Sequence, residues 1–148
     1  MNRAFKFLET HNEIVLATCE GNLPKIRNFQ IMKQEGHVLY FATSARKAVY
    51  REIMQNPNVE ILAFADKISV RCSGVASFNV PDDVKQWIYD NNPVLPRLYS
   101  DYGQLVYFCL PVAEIDYYDL TPTPPVYLHF DLMAGTVNNG FVGNRYSK

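Results

Sequence analysis

A chain of 148 residues that is 48% hydrophobic and 20% charged has the composition of one globular domain with a substantial core, not of a disordered segment. Its net charge of −1 supplies no global field to attract nucleic acid or an acidic membrane surface. No run approaches the ~20 apolar residues of a membrane span, and the opening Met1-Asn2-Arg3-Ala4-Phe5-Lys6 leads into no signal-peptide core, so a cytoplasmic protein without membrane partners is expected.

Arg3 to Thr10 reads as a short amphipathic helix with Phe5 and Leu8 on one side. Glu13 to Cys19 is a buried strand, Glu20-Gly21-Asn22 a hairpin turn, and Lys25 to Lys33 the returning second strand. After a turn at Glu35-Gly36, His37 to Ala42 forms the third strand. A helix from Thr43 to Met54 follows, with Val49, Ile53 and Met54 as its apolar face and Asn56-Pro57 as its stop. Val59 to Ala65 is the fourth strand, and Asp66-Lys67 is a tight connection. In the fifth, Ile68, Val70, Cys72, Gly74, Ala76 and Phe78 alternate with Ser69, Arg71, Ser73 and Ser77, which gives one buried and one wet face.

Pro81-Asp82-Asp83 starts a helix that runs through Trp87 to about Asp90, and Asn91-Asn92-Pro93 breaks it. Val94 to Tyr102 is a short helical or irregular excursion. Leu105 to Leu110 is the sixth strand and continues past Pro111, where a bulge is expected, to Asp119. Thr121-Pro122-Thr123-Pro124-Pro125 is a stiff spacer. Residues 121–148 are thus a spacer and C-terminal extension of the domain formed by residues 1–120, with Asn138-Asn139-Gly140 as a candidate hairpin turn. Cys19, Cys72 and Cys109 all fall in apolar strand-like runs, which points to buried free thiols rather than a disulfide framework. Six strands joined mainly by hairpins build antiparallel pairs and close into a small barrel with peripheral helices, a mainly β fold.

The chemistry concentrates at Thr43-Ser44-Ala45-Arg46-Lys47. Thr43 and Ser44 are good N-cap residues, and the first helical turn should then favour carboxylates. Arg46 and Lys47 stand there instead, at a cost of ~0.3–1 kcal/mol each unless an anion lies between them and the free amides. A phosphate would satisfy hydroxyls, amides and both cations together. Taken alone, a tolerated pair of solvated surface cations is the simpler reading; Arg27 and the high aromatic content favour the anion. If Arg27, on the second strand, points inward, it needs an anionic partner, and a phosphate is one. Ten Tyr, nine Phe and one Trp suit a flat ligand or a partner subunit. His11, His37 and His129 are scattered and show no metal-ligand spacing; Asp82-Asp83 is helix-start acid, and His129-Phe130-Asp131 offers a His–Asp pair beyond the spacer. No residues are assigned to catalysis, so any catalysis would rest on a cofactor.

Three stretches resemble the flavin-binding split-barrel family typified by pyridoxamine phosphate oxidase. They are Glu13 to Thr18 followed by Gly21 to Phe29, Leu39 to Lys47 leading to Asn56-Pro57-Asn58-Val59, and Val70 to Ala76. The similarity spans about residues 4–120 and implies a six-stranded antiparallel split barrel and a homodimer with flavin mononucleotide (FMN) at the interface. It implies that Arg46 and Lys47 bind the phosphate with Thr43 and Ser44, and that Arg27 helps at the phosphate or ribityl end. Asn28, Phe29, Phe41 and Ala42 would contact the ring system, and Gln104, in the segment Tyr99 to Leu105, would complete the facing subunit's site. The chain ends without the Arg- and Trp-containing segment that grips substrate in the oxidase itself. It is more similar to short members described as general flavin reductases, including the nitroimidazole-resistance type. The implied activity is oxidoreduction of a small, planar acceptor through FMN, with NADH or NADPH as candidate donor. A flavin carrier or sensor, and a structural dimer with no flavin, stay open as alternatives.

Overall fold

The computed structural model describes residues 1–139, and within them hairpins dominate the connectivity. The elements in chain order are helix α1 (Asn2–Thr10), strands β1 (Glu13–Glu20), β2 (Leu23–Gln30), β3 (Lys33–Glu35) and β4 (Val38–Thr43), and helix α2 (Ala48–Gln55). Strands β5 (Asn58–Ala65) and β6 (Ile68–Val75) follow, then helices α3 (Asp82–Asn91) and α4 (Val94–Leu98), a 3-10 turn (Tyr102–Gln104), and strands β7 (Val106–Asp119), β8 (Val126–Asp131) and β9 (Thr136–Asn139).

All pairings are antiparallel, in the order β2-β1-β5-β6-β7-β4-β3. The two ends of that order are joined covalently, because only Ile31 and Met32 separate β2 from β3. The expected second strand is therefore one bent strand: β2 lies beside β1, and β3 lies beside β4. The amide of Ile31 donates to Asn12 and that of Met32 to Tyr40, so the bend keeps its ladder bonds on both sides. Counting β2 and β3 as one, six antiparallel strands enclose a barrel, as the hairpin pattern predicts. The fourteen residues of β7 serve both halves: Val106–Pro111 pair with β4, and Val112–Asp119 with β6. The bulge expected near Pro111 lies at Ser73/Gly74, where β6 shifts register and skips Ala113 of β7.

Alternation sends Leu16, Leu39, Phe41, Ile61, Val70, Cys72, Phe108, Leu110 and Ile115 inward to a common core. Phe41 stacks on Phe108 at 4.9 Å, and Phe29 meets both edge-on. The outer faces of β4 and β7 carry a second cluster, in which Tyr107 and Cys109 pack against Val84 and Ile88 of α3 and Leu95 of α4. All three cysteines are free; Cys72 and Cys109 are buried and Cys19 is half-exposed.

The tail departs from the sequence reading. Strand β8 pairs with β7 and buries Tyr127 and Phe130, so it extends the sheet. The terminal hairpin turns at Asp131–Gly135, not at Asn138-Asn139-Gly140. The Asp131 carboxylate accepts the amides of Met133 and Ala134, and Gly135 takes a φ of +69°, which together supply the turn. Asn138 and Asn139 sit within β9, and Gly140 lies outside the described residues. His129 does not pair with Asp131 either: its Nδ1 lies 2.7 Å from Asp116 on the neighbouring strand β7, which its place opposite that residue dictates. Among the described residues, no helix is long and apolar enough to cross a membrane.

Candidate functional site

The segment Thr43–Lys47 bridges the end of β4 and the start of α2, and its conformation differs from the cap expected from sequence. Thr43 stays extended because it is still paired with Val106 of β7. Ser44 then opens a turn rather than a helix: its carbonyl accepts the Lys47 amide at 3.0 Å, and its hydroxyl accepts the Arg46 amide at 3.2 Å. Lys47 is the N-cap, with extended backbone, and α2 begins at Ala48. The two cations thus occupy the approach to the helix rather than its first turn. Both side chains are exposed. They still stand at the positive end of the helix dipole, beside the first amides of α2, which no intrahelical carbonyl can reach.

Thr43 is 4% exposed, and its Oγ1 is buried with no hydrogen-bond partner among the described residues. A hydroxyl buried without a partner carries a desolvation cost, and an acceptor or donor in an occupied site would remove it. Two residues before Ala42, the Tyr40 carbonyl accepts the Met32 amide. By strand alternation the amide and carbonyl of Ala42 face that same edge, beyond the end of the β3 ladder, where β2 has left to pair with β1. The stretch Ala42–Lys47 therefore brings an open backbone edge, two hydroxyls and two cations into one continuous segment.

The other expected residues are distributed differently. Arg27 does point into the barrel, but the anion it meets is a side chain. Its Nη2 lies 2.5 Å from Glu52 of α2, and its Nη1 donates to the Thr18 hydroxyl (2.8 Å) and the Leu16 carbonyl (3.2 Å). Thr18 in turn donates to the same Glu52 oxygen at 2.6 Å. Burial alone would raise the Glu52 carboxyl, yet the Thr18 bond and the Arg27 charge hold it below the usual carboxylate range. Phe41 is fully buried and Phe29 packs on it, so their rings belong to the core contacts of the barrel. Asn28 is exposed on the outer face, in a groove of about 510 Å³ shared with Val15, Gln30, Leu62 and Phe64. Gln104 lies on the 3-10 turn, where its Oε1 accepts the Ser100 amide at 2.8 Å.

Glu52 was missed by sequence reasoning, although a signal existed. Val49, Glu52 and Ile53 share one helix face by i, i+3, i+4 spacing, and a carboxylate within an apolar stripe demands a partner.

The family model for pyridoxamine 5'-phosphate oxidase matches residues 2–104 of the chain. Among solved structures, a NimC/NimA family protein from Clostridium acetobutylicum is similar at 27% identity, with 82% of this chain and 87% of that one covered and a TM-score of 0.71. A pyridoxamine 5'-phosphate oxidase-related, FMN binding protein from Nostoc punctiforme is similar at 16% identity, covering 94% and 92%, with a TM-score of 0.67. PhzG from Burkholderia lata, solved with tetrahydrophenazine-1-carboxylic acid, is similar at 10% identity, covering 94% and 88%, with a TM-score of 0.72. The last two likenesses concern the fold alone. No curated protein matches the chain.

Proposed function

The chain belongs to the pyridoxamine 5'-phosphate oxidase family, and we propose that it is an FMN-dependent oxidoreductase acting on a small planar acceptor. The observation that carries this reading is the Ala42–Lys47 segment. The buried Thr43 Oγ1, without a partner among the described residues, the Ser44 turn and the exposed Arg46 and Lys47 at the approach to α2 fit a phosphomonoester. The open edge at Ala42 fits a flat heterocycle that hydrogen-bonds to backbone.

In this reading Arg46 and Lys47 hold the phosphate by charge, Thr43 and Ser44 orient it, and Ala42 aligns the ring. Bound FMN would supply the electron transfer, with NADH or NADPH as the candidate reductant. The protein contributes binding and orientation.

We further propose a homodimer that completes the site. Ile26 and Phe64 are 72% and 70% exposed, and they project from one outer sheet face with Val15, Ala17 and Leu62. Apolar area of that extent on a sheet marks an interaction surface, and Asn28 shares it.

A visible spectrum of the protein purified and incubated with FMN tests the binding claim. A bound-flavin absorbance that survives desalting is expected, and a colourless protein would refute it. Reduction by NADH or NADPH followed by turnover of nitroaromatic or quinone acceptors separates the enzyme from a flavin carrier, which would bind without turning over.

A further inference from the structure

Glu52 is a carboxylate 2% exposed, in the middle of α2, and the binding reading gives it no part. Its bonds define what it does mechanically. One oxygen takes both the Arg27 guanidinium from β2 and the Thr18 hydroxyl from β1, so a single point on α2 is tied to two adjacent strands of the barrel wall. The Leu16 carbonyl fixes Arg27 from a third direction. Val49 and Ile53 pack beside this tie but supply no directional bond.

The turn Ser44–Lys47 hangs between two anchors. One is Thr43, fixed in the β4–β7 ladder; the other is α2. Lys47 lies five residues before Glu52, about 7.5 Å along the helix axis at 1.5 Å per residue. A slide or rotation of α2 on the barrel therefore moves Lys47, Arg46 and the first helix amides together relative to the Thr43 hydroxyl. Apolar packing alone permits small slides; a bonded ion pair does not.

We infer that Glu52 is a positioning residue: through Arg27 and Thr18 it sets where the cations at the approach to α2 stand, and so makes the protein select a phosphorylated flavin over its unphosphorylated form. This inference rests on the flavin reading above. It also gives Arg27 a role different from the one expected from sequence: Arg27 acts through Glu52 instead of taking the phosphate itself.

The two roles of Arg27 differ in sign when the Glu52 charge is removed. Glu52→Gln keeps the shape and an acceptor for Thr18 but frees Arg27 from its anion. If Arg27 serves as positioner, affinity for FMN falls about tenfold while affinity for riboflavin, which lacks the phosphate, holds within about twofold. If Arg27 is a phosphate ligand restrained by Glu52, FMN affinity rises. The measurement is titration of wild type and Glu52→Gln with each flavin by fluorescence quenching, with circular dichroism to verify folding. Thr18→Val, which retains both charges, is the second variant should Glu52→Gln fail to fold; a smaller loss confined to FMN is expected. Unchanged or increased FMN affinity, or an equal loss for both flavins, would overturn the inference alone. A wild-type protein that binds neither flavin would overturn the flavin reading, and this inference with it.

Discussion

Single atoms decide the tightest places in this barrel. At Gly74 an added Cβ would stand 2.6 Å from the Pro111 carbonyl oxygen and 3.0 Å from a Leu110 methyl. That oxygen belongs to the backbone of β7, whose Pro111 is paired with Val38 of β4, and moving it means moving the strand, so Gly74→Ala is expected to lower stability by ~1–3 kcal/mol, as overpacking does. Thermal or urea unfolding measures this; an unchanged midpoint would mean the bulge relaxes freely. Asp116 couples stability to pH. Burial would raise its carboxyl, but bonds from Arg71, His129 and Tyr127 hold it at about 2, below the ordinary 3.8. A carboxyl with a depressed native pKa contributes its full stabilisation above the unfolded value and loses it as pH falls through the folded one. The urea midpoint is expected to decline between pH 4 and pH 2, and Asp116→Asn should flatten that decline. An identical slope in the variant would contradict the assignment.

Elements whose bonds are local were legible in the sequence, and those set by distant partners were not. The turns at Gly21 and Asp66-Lys67 carry their own geometry, with both Asp66 and Lys67 at positive φ, and the hairpins they close fell where expected. The start of α3 at Asp82, behind Pro81, was equally readable. By contrast, Thr43 and Ser44 have the chemistry of helix caps, yet pairing with Val106 keeps Thr43 extended and delays α2 to Ala48. Ladder bonds to a strand more than sixty residues away outweighed a local cap. The break at Ile31-Met32 reflects barrel closure, and β8 was hidden because its partner surface on β7 is a property of the closed sheet. At the site, the run from Ala42 to Lys47 could be read because it is contiguous. The Arg27–Glu52 bond could not, since it joins β2 to α2 across 25 positions.

At the scale of the whole molecule, the exposed apolar face of β2, β1 and β5 is where the proposed dimer would form. Ile26 of β2 and Leu62 and Phe64 of β5 are exposed on the two strands that flank β1, and a second copy seated there would cover them. Phe64→Glu together with Ile26→Glu is expected to convert a dimer to a monomer and to weaken FMN binding in parallel. Sedimentation of the variant, with and without FMN, checks both, and a variant that stays dimeric would place the interface elsewhere. The proposed FMN site requires a phosphate at the approach to α2. The most direct measurement is FMN affinity of Arg46→Ala with Lys47→Ala, set against riboflavin. At ~1.5–3 kcal/mol per charge-assisted bond, FMN binding should weaken by several kcal/mol in the double variant while riboflavin binding is retained. FMN affinity equal to that of wild type would contradict it.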